Sequence, residues 1–341
     1  MSKILVGLSG GVDSAVSAYL LRELGHEISC GYMINYLDEE NPTCPTRIDL
    51  EEARRVADFL GLPFYTFDYQ EEYERRIVDY IYREYAIGHT PNPDVFCNNL
   101  VKFDLFLEEA LSLGFDQIAM GHYARVQGGQ LLKGVDPLKD QSYFLSRLST
   151  FQLSKAIFPI GDLQKSEVRE IARNAGLPNA DRKDSQGLCF IGKVSMKEFL
   201  EKRFPKKPGN IIDQMGKVIG THEGAYSYTI GQRKGIEIGG GPAFFVVAKD
   251  TIMNTITVGE ETDPFLFTTS CTLTDWVGSD IEYGKKYNAK IRYRQEDQEC
   301  EIIVDKNILK VIFNSPQRAV AIGQICVIYM YDVVIGSGII Q

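Results

Sequence analysis

The chain has 341 residues, 44% of them hydrophobic, and a formal net charge of −9 at pH 7. This length and apolar content predict two or three domains with substantial cores. The acidic balance argues against broad, non-specific binding of nucleic acid, which depends on positive charge, although it leaves room for a local basic face. No apolar run reaches membrane-span length and no signal-like segment opens the chain, so we expect a cytoplasmic protein without a membrane partner.

Seven cysteines are scattered through the sequence, without Cys-x-x-Cys spacing. This pattern excludes a secreted disulfide framework and a zinc ribbon. In a reducing compartment most such cysteines are buried small hydrophobic residues, and we expect one or two to take part in chemistry. Their positions are 30, 44, 97, 189, 271, 300 and 326.

The first elements are a predicted strand and helix with a glycine-rich turn between them. Residues 4–6 are an apolar run typical of a buried strand. Apolar residues from Val12 to Leu20 recur at helical spacing, and Gly25 closes that helix. The turn, residues 9–14 (Ser-Gly-Gly-Val-Asp-Ser), therefore lies at the carboxyl end of a strand, where open α/β sheets bind ligands.

The same turn has the features of a phosphate site. Its two glycines let the backbone approach a phosphate closely, and the helix that follows points its positive dipole end at it. The string contains no lysine and is not a P-loop or a Gly-x-Gly-x-x-Gly motif. It resembles the PP-loop of the ATP pyrophosphatase superfamily, whose members split ATP to AMP and pyrophosphate. A glycine-rich turn without a ligand is the alternative interpretation.

Strand and helix patterns then alternate to about residue 200, which is typical of an α/β fold with a doubly wound parallel sheet. The next predicted strands lie at 26–33, 63–69 and 117–120, with a hairpin at 124–135 that turns at Gly128 and Gly129. Helical stripes are predicted at 49–60, 73–85, 100–111, 168–175 and 196–200.

A proline-broken basic segment, residues 202–209, marks a domain boundary. Beyond it, short strands and glycine turns replace the helical stripes. The predicted strands lie at 244–248, 255–258, 287–293, 299–304, 309–313 and 325–329. We therefore expect a PP-loop α/β domain over 1–204, a small central β domain over 205–264 and a C-terminal β-barrel over 265–341.

The first chemical candidate is residues 92–98, Asn-Pro-Asp-Val-Phe-Cys-Asn. Pro91 and Pro93 argue against a helix, so we expect a stiff loop that ends with Cys97 near the N-terminus of the next helix. A helix N-terminus lowers the pKa of a thiol, and Asp94 can reach the same pocket. An ordinary capped turn with a buried cysteine fits the residues equally well.

The second candidate is residues 184–191, a polar, glycine-bearing loop that carries Cys189. Arg182 and Lys183 lie nearby in the sequence and favour a thiolate. A loop whose cysteine points inward is the alternative interpretation.

Three further candidates are polar. His122 follows a predicted strand, and a histidine there is more often structural than catalytic. Residues 139–141, Lys-Asp-Gln, on their own predict a solvated turn. Residues 290–294 alternate basic and aromatic side chains on a predicted strand, which suits phosphate and base contacts, although a solvated strand face fits nearly as well.

Together these motifs resemble the bacterial tRNA-specific 2-thiouridylase family, which installs sulfur at C2 of the wobble uridine, position 34. The resemblance covers nearly the whole chain in family order. Its most specific parts are the two cysteine segments and residues 228–235, Tyr-Thr-Ile-Gly-Gln-Arg-Lys-Gly. The matching segments are 9–14, 92–98, 121–123, 139–143, 184–190, 228–235 and 292–294.

The resemblance implies roles for individual positions. Cys97 would be the nucleophile, Cys189 the persulfide carrier and Asp94 a general acid/base. The ATP site would consist of Gly7, Leu8, Ser9, Gly10, Gly11, Val12, Asp13, Ser14, Met33 and Gly121. The target base would meet Asn92, Pro93 and Asp94, and the other tRNA contacts would be His122, Lys139, Asp140, Gln141, Arg292, Tyr293 and Gln324. It implies no protein-ligated metal site.

The resemblance also implies the chemistry. Adenylation makes the C2 oxygen of uracil a leaving group, with ATP and Mg²⁺ as cofactors. Sulfur from the Cys189 persulfide replaces that oxygen, either directly or after release as hydrosulfide, and a Cys97–Cys189 disulfide remains to be reduced. The implied partners are tRNA and a persulfide donor, either a cysteine desulfurase or a relay protein.

Because the net charge is negative, we expect RNA to meet a confined basic face built from residues 202–207, Lys139, Arg292 and Arg294. Two alternative functions remain open. One is another PP-loop enzyme, a ligase or amidotransferase that adenylates a carboxylate or carbonyl and needs no paired cysteines. The other is a non-catalytic ATP-binding RNA adaptor, which would release neither AMP nor pyrophosphate.

Overall fold

The computed structural model describes residues 1–37, 44–183, 195–236, 238, 243–306 and 308–341. The chain forms two compact units. The N-terminal unit lies within residues 1–77, 94–193 and 332–334, and the C-terminal unit within 78–93, 194–331 and 335–341. The three-domain bounds 1–204, 205–264 and 265–341 stay a prediction.

The helices and strands of the described residues are as follows. The α-helices are α1 (Val12–Glu23), α2 (Pro45–Leu60), α3 (Gln70–Tyr73), α4 (Asp79–Ala86), α5 (Pro93–Cys97), α6 (Phe106–Ser112), α7 (Thr150–Lys155), α8 (Lys165–Asn174) and α9 (Met196–Glu201). The first strands are β1 (Lys3–Gly7), β2 (Glu27–Ile34), β3 (Phe64–Asp68), β4 (Gln117–Met120), β5 (Ala124–Gln127), β6 (Gln130–Lys133) and β7 (Ala156–Ile157). The later strands are β8 (Gly209–Ile212), β9 (Val218–His222), β10 (Phe245–Asp250), β11 (Thr255–Gly259), β12 (Phe267–Gly278), β13 (Tyr287–Lys290), β14 (Gln298–Asp305), β15 (Ile308–Arg318), β16 (Ile325–Met330) and β17 (Val333–Ile340).

The N-terminal unit is built on a parallel sheet of order β3-β2-β1-β4-β7. The central strand β1 is buried from Ile4 to Gly7, as expected for a parallel strand covered on both faces. Residues of α1, α2 and α8 complete the core around it. The chain order reverses at β1, so the turn after β1 lies at a topological switch point, the usual ligand site of such sheets.

The predicted helix α1 and the predicted hairpin are confirmed. Helix α1 ends just before Gly25, whose φ is +80°. Strands β5 and β6 pair around Gly128 and Gly129, with φ of +59° and +77°. Positive φ at both central residues is what a two-residue hairpin of type I′ requires.

The expected stiff loop over residues 92–98 is wrong. A helix begins at Pro93 and runs through α5, a π-helical segment (Asn98–Leu105) and α6. Proline is favoured at the first helical position, because its missing N–H would have no intrahelical partner there. Helix α2 likewise begins at Pro45, four residues before the predicted start at residue 49.

The C-terminal unit contains two β structures. A mixed four-stranded sheet of order β10-β11-β8-β9 packs around Ile211, Val246 and Ile256. Six antiparallel strands follow in the order β12-β15-β14-β13-β16-β17, and β12 also pairs with β17, which closes a barrel. The predicted central β domain and C-terminal barrel are therefore present in the described residues.

Residues 291–294 are not strand, contrary to the prediction for the basic and aromatic segment. Strand β13 ends at Lys290, and Arg294 has a φ of +65° in the turn that follows. Five strands of the described residues were not predicted from the sequence pattern: β7, β8, β9, β12 and β17. None of the helices in the described ranges has the length and hydropathy needed to cross a membrane.

Candidate functional site

The turn after β1 is braced by its own two serines. The Ser9 N–H donates to Ser14 Oγ at 3.1 Å, and Ser14 Oγ donates to the Gly11 carbonyl at 3.0 Å. The Gly11 N–H donates to Ser9 Oγ at 3.3 Å. The hydroxyl groups of Ser9 and Ser14, two residues of the predicted ATP site, therefore fix the shape of the turn.

The Gly10 carbonyl is held from outside the turn. Asn179 Nδ2 and Arg182 Nη1 each donate to it at 2.9 Å, and the Arg182 guanidinium also pairs with Asp49. Burial raises the pKa of the Asp49 carboxyl, against the opposing effect of Arg182. The guanidinium of Arg182, expected to favour a thiolate at Cys189, is thus bonded to the turn.

The structure brings the ten predicted ATP residues together at one end of the sheet. A Cβ on Gly7 would lie 2.6 Å from Met120 Sδ and 3.5 Å from Met33 Cε. A Cβ on Gly121 would lie 2.6 Å from the Ser14 nitrogen. At Gly121 the close atoms are backbone, so only glycine allows the two backbones to approach so closely, whereas at Gly7 they are the ends of methionine side chains. Met33 therefore lies beside the turn, and Gly121 lies beside the first turn of α1.

The turn fits a bound polyphosphate. Within the described residues, Gly11 caps α1 without a side-chain hydrogen bond, so the first N–H groups of the helix are not satisfied by a cap. The positive end of the helix dipole lies at the same place. Because Gly10 and Gly11 carry no side chains, these donors can meet phosphate oxygens, as they do at other helix N-termini.

The single carboxylate of the turn, Asp13, is held by two side chains that are remote in the sequence. Lys165 Nζ, at the start of α8, lies 2.7 and 2.9 Å from the two carboxylate oxygens. The Tyr123 hydroxyl donates to Asp13 Oδ1 at 2.8 Å. Helix α8 therefore places an ammonium group beside a turn whose own residues include no lysine.

Asp94 and Cys97 lie three residues apart on one face of α5. Asn98 Nδ2 donates to the Asp94 carbonyl at 2.9 Å, so the side chain of Asn98 is hydrogen-bonded to the first turn of α5. Cys97 is 1% exposed. Cys189 lies outside the described residues, so the predicted Cys97–Cys189 pairing and the persulfide role of Cys189 stay predictions.

The six described cysteines are free thiols, and all are buried. Burial raises the pKa of Cys30 and of Cys300 to about 12. A hydrogen bond with Cys271, together with burial, raises the pKa of Cys326 as well. These three thiols are therefore protonated at neutral pH. The expectation that most cysteines are buried is confirmed for the described residues.

In the C-terminal unit, the Gln324 side chain forms hydrogen bonds with the segment that ends at Asn92. Its Nε2 donates to the carbonyls of Thr90 and Pro91 at 3.0 and 3.3 Å, and its Oε1 accepts from Asn92 Nδ2 at 3.2 Å. Gln324 was predicted to contact tRNA, and the structure gives it a bonded role beside the predicted base-binding residues.

The same segment is held on a second side by β10 and residues 228–235. Lys249 Nζ donates to the Tyr228 carbonyl at 2.7 Å and lies 3.5 Å from the His89 carbonyl. Thr90 Oγ1 lies 3.4 Å from Thr229 Oγ1. The Tyr-Thr-Ile-Gly motif thus helps to fix the backbone that leads to Asn92.

Residues 139–141 form a bonded turn, and the solvated turn expected from these residues alone is wrong. The Asp140 carboxylate is buried and accepts from the N–H groups of Gly134 and Ser142, each at 3.0 Å. Gln141 and Tyr123 exchange two hydrogen bonds, of 2.8 and 3.0 Å. Their predicted tRNA contacts, with that of Lys139, remain predictions.

His122 is buried between the rings of Phe103 and Phe158, each with its centroid 6.0 Å away. Burial, with a smaller effect of the Lys102 charge, holds the pKa of His122 well below its usual value. His122 is therefore a neutral ring in a core, and its predicted tRNA contact stays a prediction.

The expected basic face is partly neutralised within the C-terminal unit. Arg203 Nη1 lies 2.7 Å from Asp79, and Lys206 Nζ lies 3.1 Å from Glu223. Arg292 is exposed and donates to the Arg318 carbonyl at 3.0 Å. Tyr293 lies next to Arg292, and the tRNA contacts predicted for both residues stay predictions.

Three family models match the chain in succession. They are the tRNA methyl transferase HUP domain over residues 2–193, the tRNA methyl transferase PRC-barrel domain over 197–260 and the aminomethyltransferase beta-barrel domain over 269–340. The tRNA-specific 2-thiouridylase MnmA of Alkaliphilus oremlandii is 44% identical, over 100% of this chain and 97% of that protein. That of Bacillus subtilis is also 44% identical, over 100% and 95%.

The chain belongs to the tRNA-specific 2-thiouridylase family. The family inferred from the motifs is therefore confirmed, as is the architecture of a parallel-sheet domain, a central β domain and a closed C-terminal barrel. A solved structure of NMN synthetase from Francisella tularensis is 16% identical with a TM-score of 0.37, covering 59% of this chain and 76% of that one.

Sequence reasoning missed several residues that support the site of this 2-thiouridylase family member. Lys165 and Asn179 contact the turn from 152 and 169 positions away. Tyr123 belonged to a matched motif, Gly-His-Tyr, but was given no role. Lys249 directly follows the predicted strand 244–248, and no local pattern indicates that its ammonium bonds to backbone carbonyls.

Proposed function

We propose that the chain catalyses ATP-dependent 2-thiolation of uridine 34 in tRNA, by adenylation of the C2 oxygen followed by sulfur transfer from a persulfide on Cys189. The observation that carries the proposal is the pairing, in one unit, of a glycine turn suited to a polyphosphate with a helix that bears Asp94 and Cys97. Family membership supports the same reaction.

The turn of residues 9–14 would hold the phosphates of ATP through backbone N–H groups and the helix dipole, with Met33 and Gly121 beside the adenine. Bound ATP supplies the adenylyl group that converts the C2 oxygen of uracil into a leaving group, and Mg²⁺ offsets the charge of pyrophosphate. The protein's task is to orient these groups and exclude water from them.

In this proposal Cys97 and Cys189 together carry out the sulfur step. Cys97 loses its proton, with Asp94 as the acceptor, and its thiolate attacks the inner sulfur of the Cys189 persulfide. A Cys97–Cys189 bond forms as the bond to the terminal sulfur breaks, and that sulfur replaces AMP at C2, either directly or as hydrosulfide. An external thiol then reduces the disulfide.

The partners in this proposal are tRNA and a persulfide donor protein, in the cytoplasm. Asn92, Pro93 and Asp94 would receive the unpaired anticodon base, which is cheaper to unstack than a paired one. Gln324 fixes the carbonyls of Thr90 and Pro91, so the backbone that leads to Asn92 is set before RNA binds.

The test is mass analysis of tRNA nucleosides after incubation with ATP, Mg²⁺ and a persulfide donor. Cys97→Ser and Cys189→Ser should each abolish 2-thiouridine while ATP binding survives. Cys300→Ala, which removes a buried barrel thiol, should keep thiolation. Normal 2-thiouridine in either serine variant would contradict the roles of the two cysteines.

The same reactions separate the two alternative functions. A ligase or amidotransferase would release AMP and pyrophosphate without tRNA, given its own small substrate, and would tolerate both cysteine variants. An RNA adaptor would bind ATP and tRNA and release neither product.

A further inference from the structure

The turn that would hold the phosphates carries a charge of the wrong sign. Asp13 is the one charged residue among positions 7–14, and it lies in the first turn of α1. A carboxylate beside a polyphosphate is repelled by it unless a cation lies between or next to them. The inference below rests on the proposed function, because it concerns how that turn binds ATP.

The position of Lys165 beside the turn is fixed by burial, by contacts with Asp13 and by the start of α8. Its side chain is 15% exposed, and its ammonium contacts both oxygens of the Asp13 carboxylate. Its own N–H donates to Asp136 Oδ2 at 3.0 Å, and a capping box formed by Gln164 and Glu167 fixes the start of α8. The backbone that positions the ammonium is therefore set independently of the ion pair.

We propose that Lys165 is the phosphate-binding cation of this turn, supplied by α8 because the turn has no lysine of its own. Without nucleotide, its ammonium neutralises Asp13; with nucleotide, it contacts the polyphosphate as well. An ammonium has three N–H donors, so it can serve a carboxylate and a phosphate together. Tyr123 keeps its hydrogen bond to Asp13 in both states, which holds the carboxylate in place.

A calorimetric titration with ATP in Mg²⁺-free buffer, without tRNA or sulfur donor, tests this assignment. Lys165→Met should weaken ATP binding at least tenfold. Asp13→Asn should tighten binding severalfold, because it removes a like charge while Lys165 remains. The double variant should bind at least tenfold more weakly than Asp13→Asn alone.

The double variant decides between a ligand and a mere counter-ion. If Lys165 acts only by neutralising Asp13, the double variant will bind ATP as tightly as Asp13→Asn, and the assignment is wrong. Lys155→Met is the matched control, since Lys155 precedes β7 and so lies at the amino edge of the sheet, away from the turn. It should bind ATP like the unmodified chain.

Thermal unfolding of each variant checks that the fold is kept. An unmodified chain that binds no ATP would overturn the proposed cradle and this inference together. An unmodified chain that binds ATP, with Lys165→Met equal to it in affinity, would overturn only the assignment of Lys165.

Discussion

Gly10 is the residue at which the candidate phosphate turn has no room for a side chain. Its φ is +75°, and a Cβ there would lie 2.5 Å from the Asp49 carbonyl oxygen and 2.8 Å from the Arg182 guanidinium. Gly25 has nearly the same φ, +80°, but its Cβ would have no neighbour within 4 Å among the described residues. Substitution of Gly25 therefore tests backbone strain alone, whereas substitution of Gly10 tests backbone strain together with steric clash.

We predict that Gly25→Ala costs about 1–2 kcal/mol of unfolding free energy, the strain of a left-handed alanine, and leaves ATP binding unchanged. Gly10→Ala should cost more and should also weaken ATP binding, since Asp49 or Arg182 must move. Urea unfolding and ATP titration of both variants measure this. Equal losses of stability, with ATP affinity intact in both, would show that the Gly10 contacts are unimportant.

The phosphate turn was predictable from the sequence, but the side chains that contact it from other elements were not. The glycines and serines of residues 9–14 identified a phosphate site because their spacing is local. Lys165 could not be found in this way, because the ion pair joins residues 152 positions apart. Only the packing of α8 beside the start of α1 brings the lysine to Asp13.

At the scale of elements, the helix that begins at Pro93 shows how a breaker rule fails. Two prolines within three residues predicted a loop, yet the second is the first residue of α5. Proline excludes a helix interior but not a helix start. As a consequence Asp94 and Cys97 lie on a regular helical turn, with a spacing set by the helix and not by a loop.

Segment 88–92 and strand β10 are joined by a half-buried lysine. Lys249 Nζ donates to the Tyr228 carbonyl and contacts the His89 carbonyl. Burial lowers the pKa of Lys249 to about 8, from an ordinary 10.5. Between these two values the unfolded chain binds a proton at Lys249 that the folded chain does not, so the contribution of Lys249 to the unfolding free energy rises with pH across this window.

We predict that raising the pH from 7.5 to 10 increases the unfolding free energy of the unmodified chain by about 2 kcal/mol relative to Lys249→Met, the linkage expected for this shift. Urea unfolding of both proteins at the two pH values measures the difference. Parallel pH profiles would mean that Lys249 titrates near its ordinary pKa in the folded chain.

At the scale of the whole molecule, charge limits how RNA can be held. The chain carries −9 overall, and Arg203 and Lys206 are already paired with acidic side chains. Arg292 is exposed and bonded only to a backbone carbonyl in the contacts described. Any tRNA contact should therefore depend on a few placed cations rather than on a general positive surface.

We predict that Arg292→Ala weakens tRNA binding and lowers the slope of log affinity against log salt by about 1, as the loss of one phosphate contact does. Arg203→Ala should leave the slope unchanged, because its guanidinium is neutralised by Asp79. Filter binding at several salt concentrations gives both slopes. A larger change for Arg203 than for Arg292 would place the RNA on the 202–207 segment.

The parallel sheet and the barrel were predictable, because apolar periodicity reports local conformation and burial. A local sequence pattern does not indicate which of the two compact units an element belongs to. The spacing of Tyr80, Ile81 and Tyr85 predicted an apolar face on α4, but it did not indicate which other elements that face packs against. In the structure the Tyr82 hydroxyl donates to the Phe199 carbonyl at 2.7 Å, within the C-terminal unit.

The burial of the other thiols bears on how often the enzyme can turn over. Each proposed cycle ends with an oxidised sulfur pair, and a third thiolate within reach could exchange into it and lock the chain in a dead-end bridge. Cys30 and Cys300 are protonated and enclosed, so they are poor partners for such exchange. In the proposed cycle this burial would suppress exchange with Cys30 and Cys300, and a reductant would need to regenerate only the Cys97–Cys189 pair.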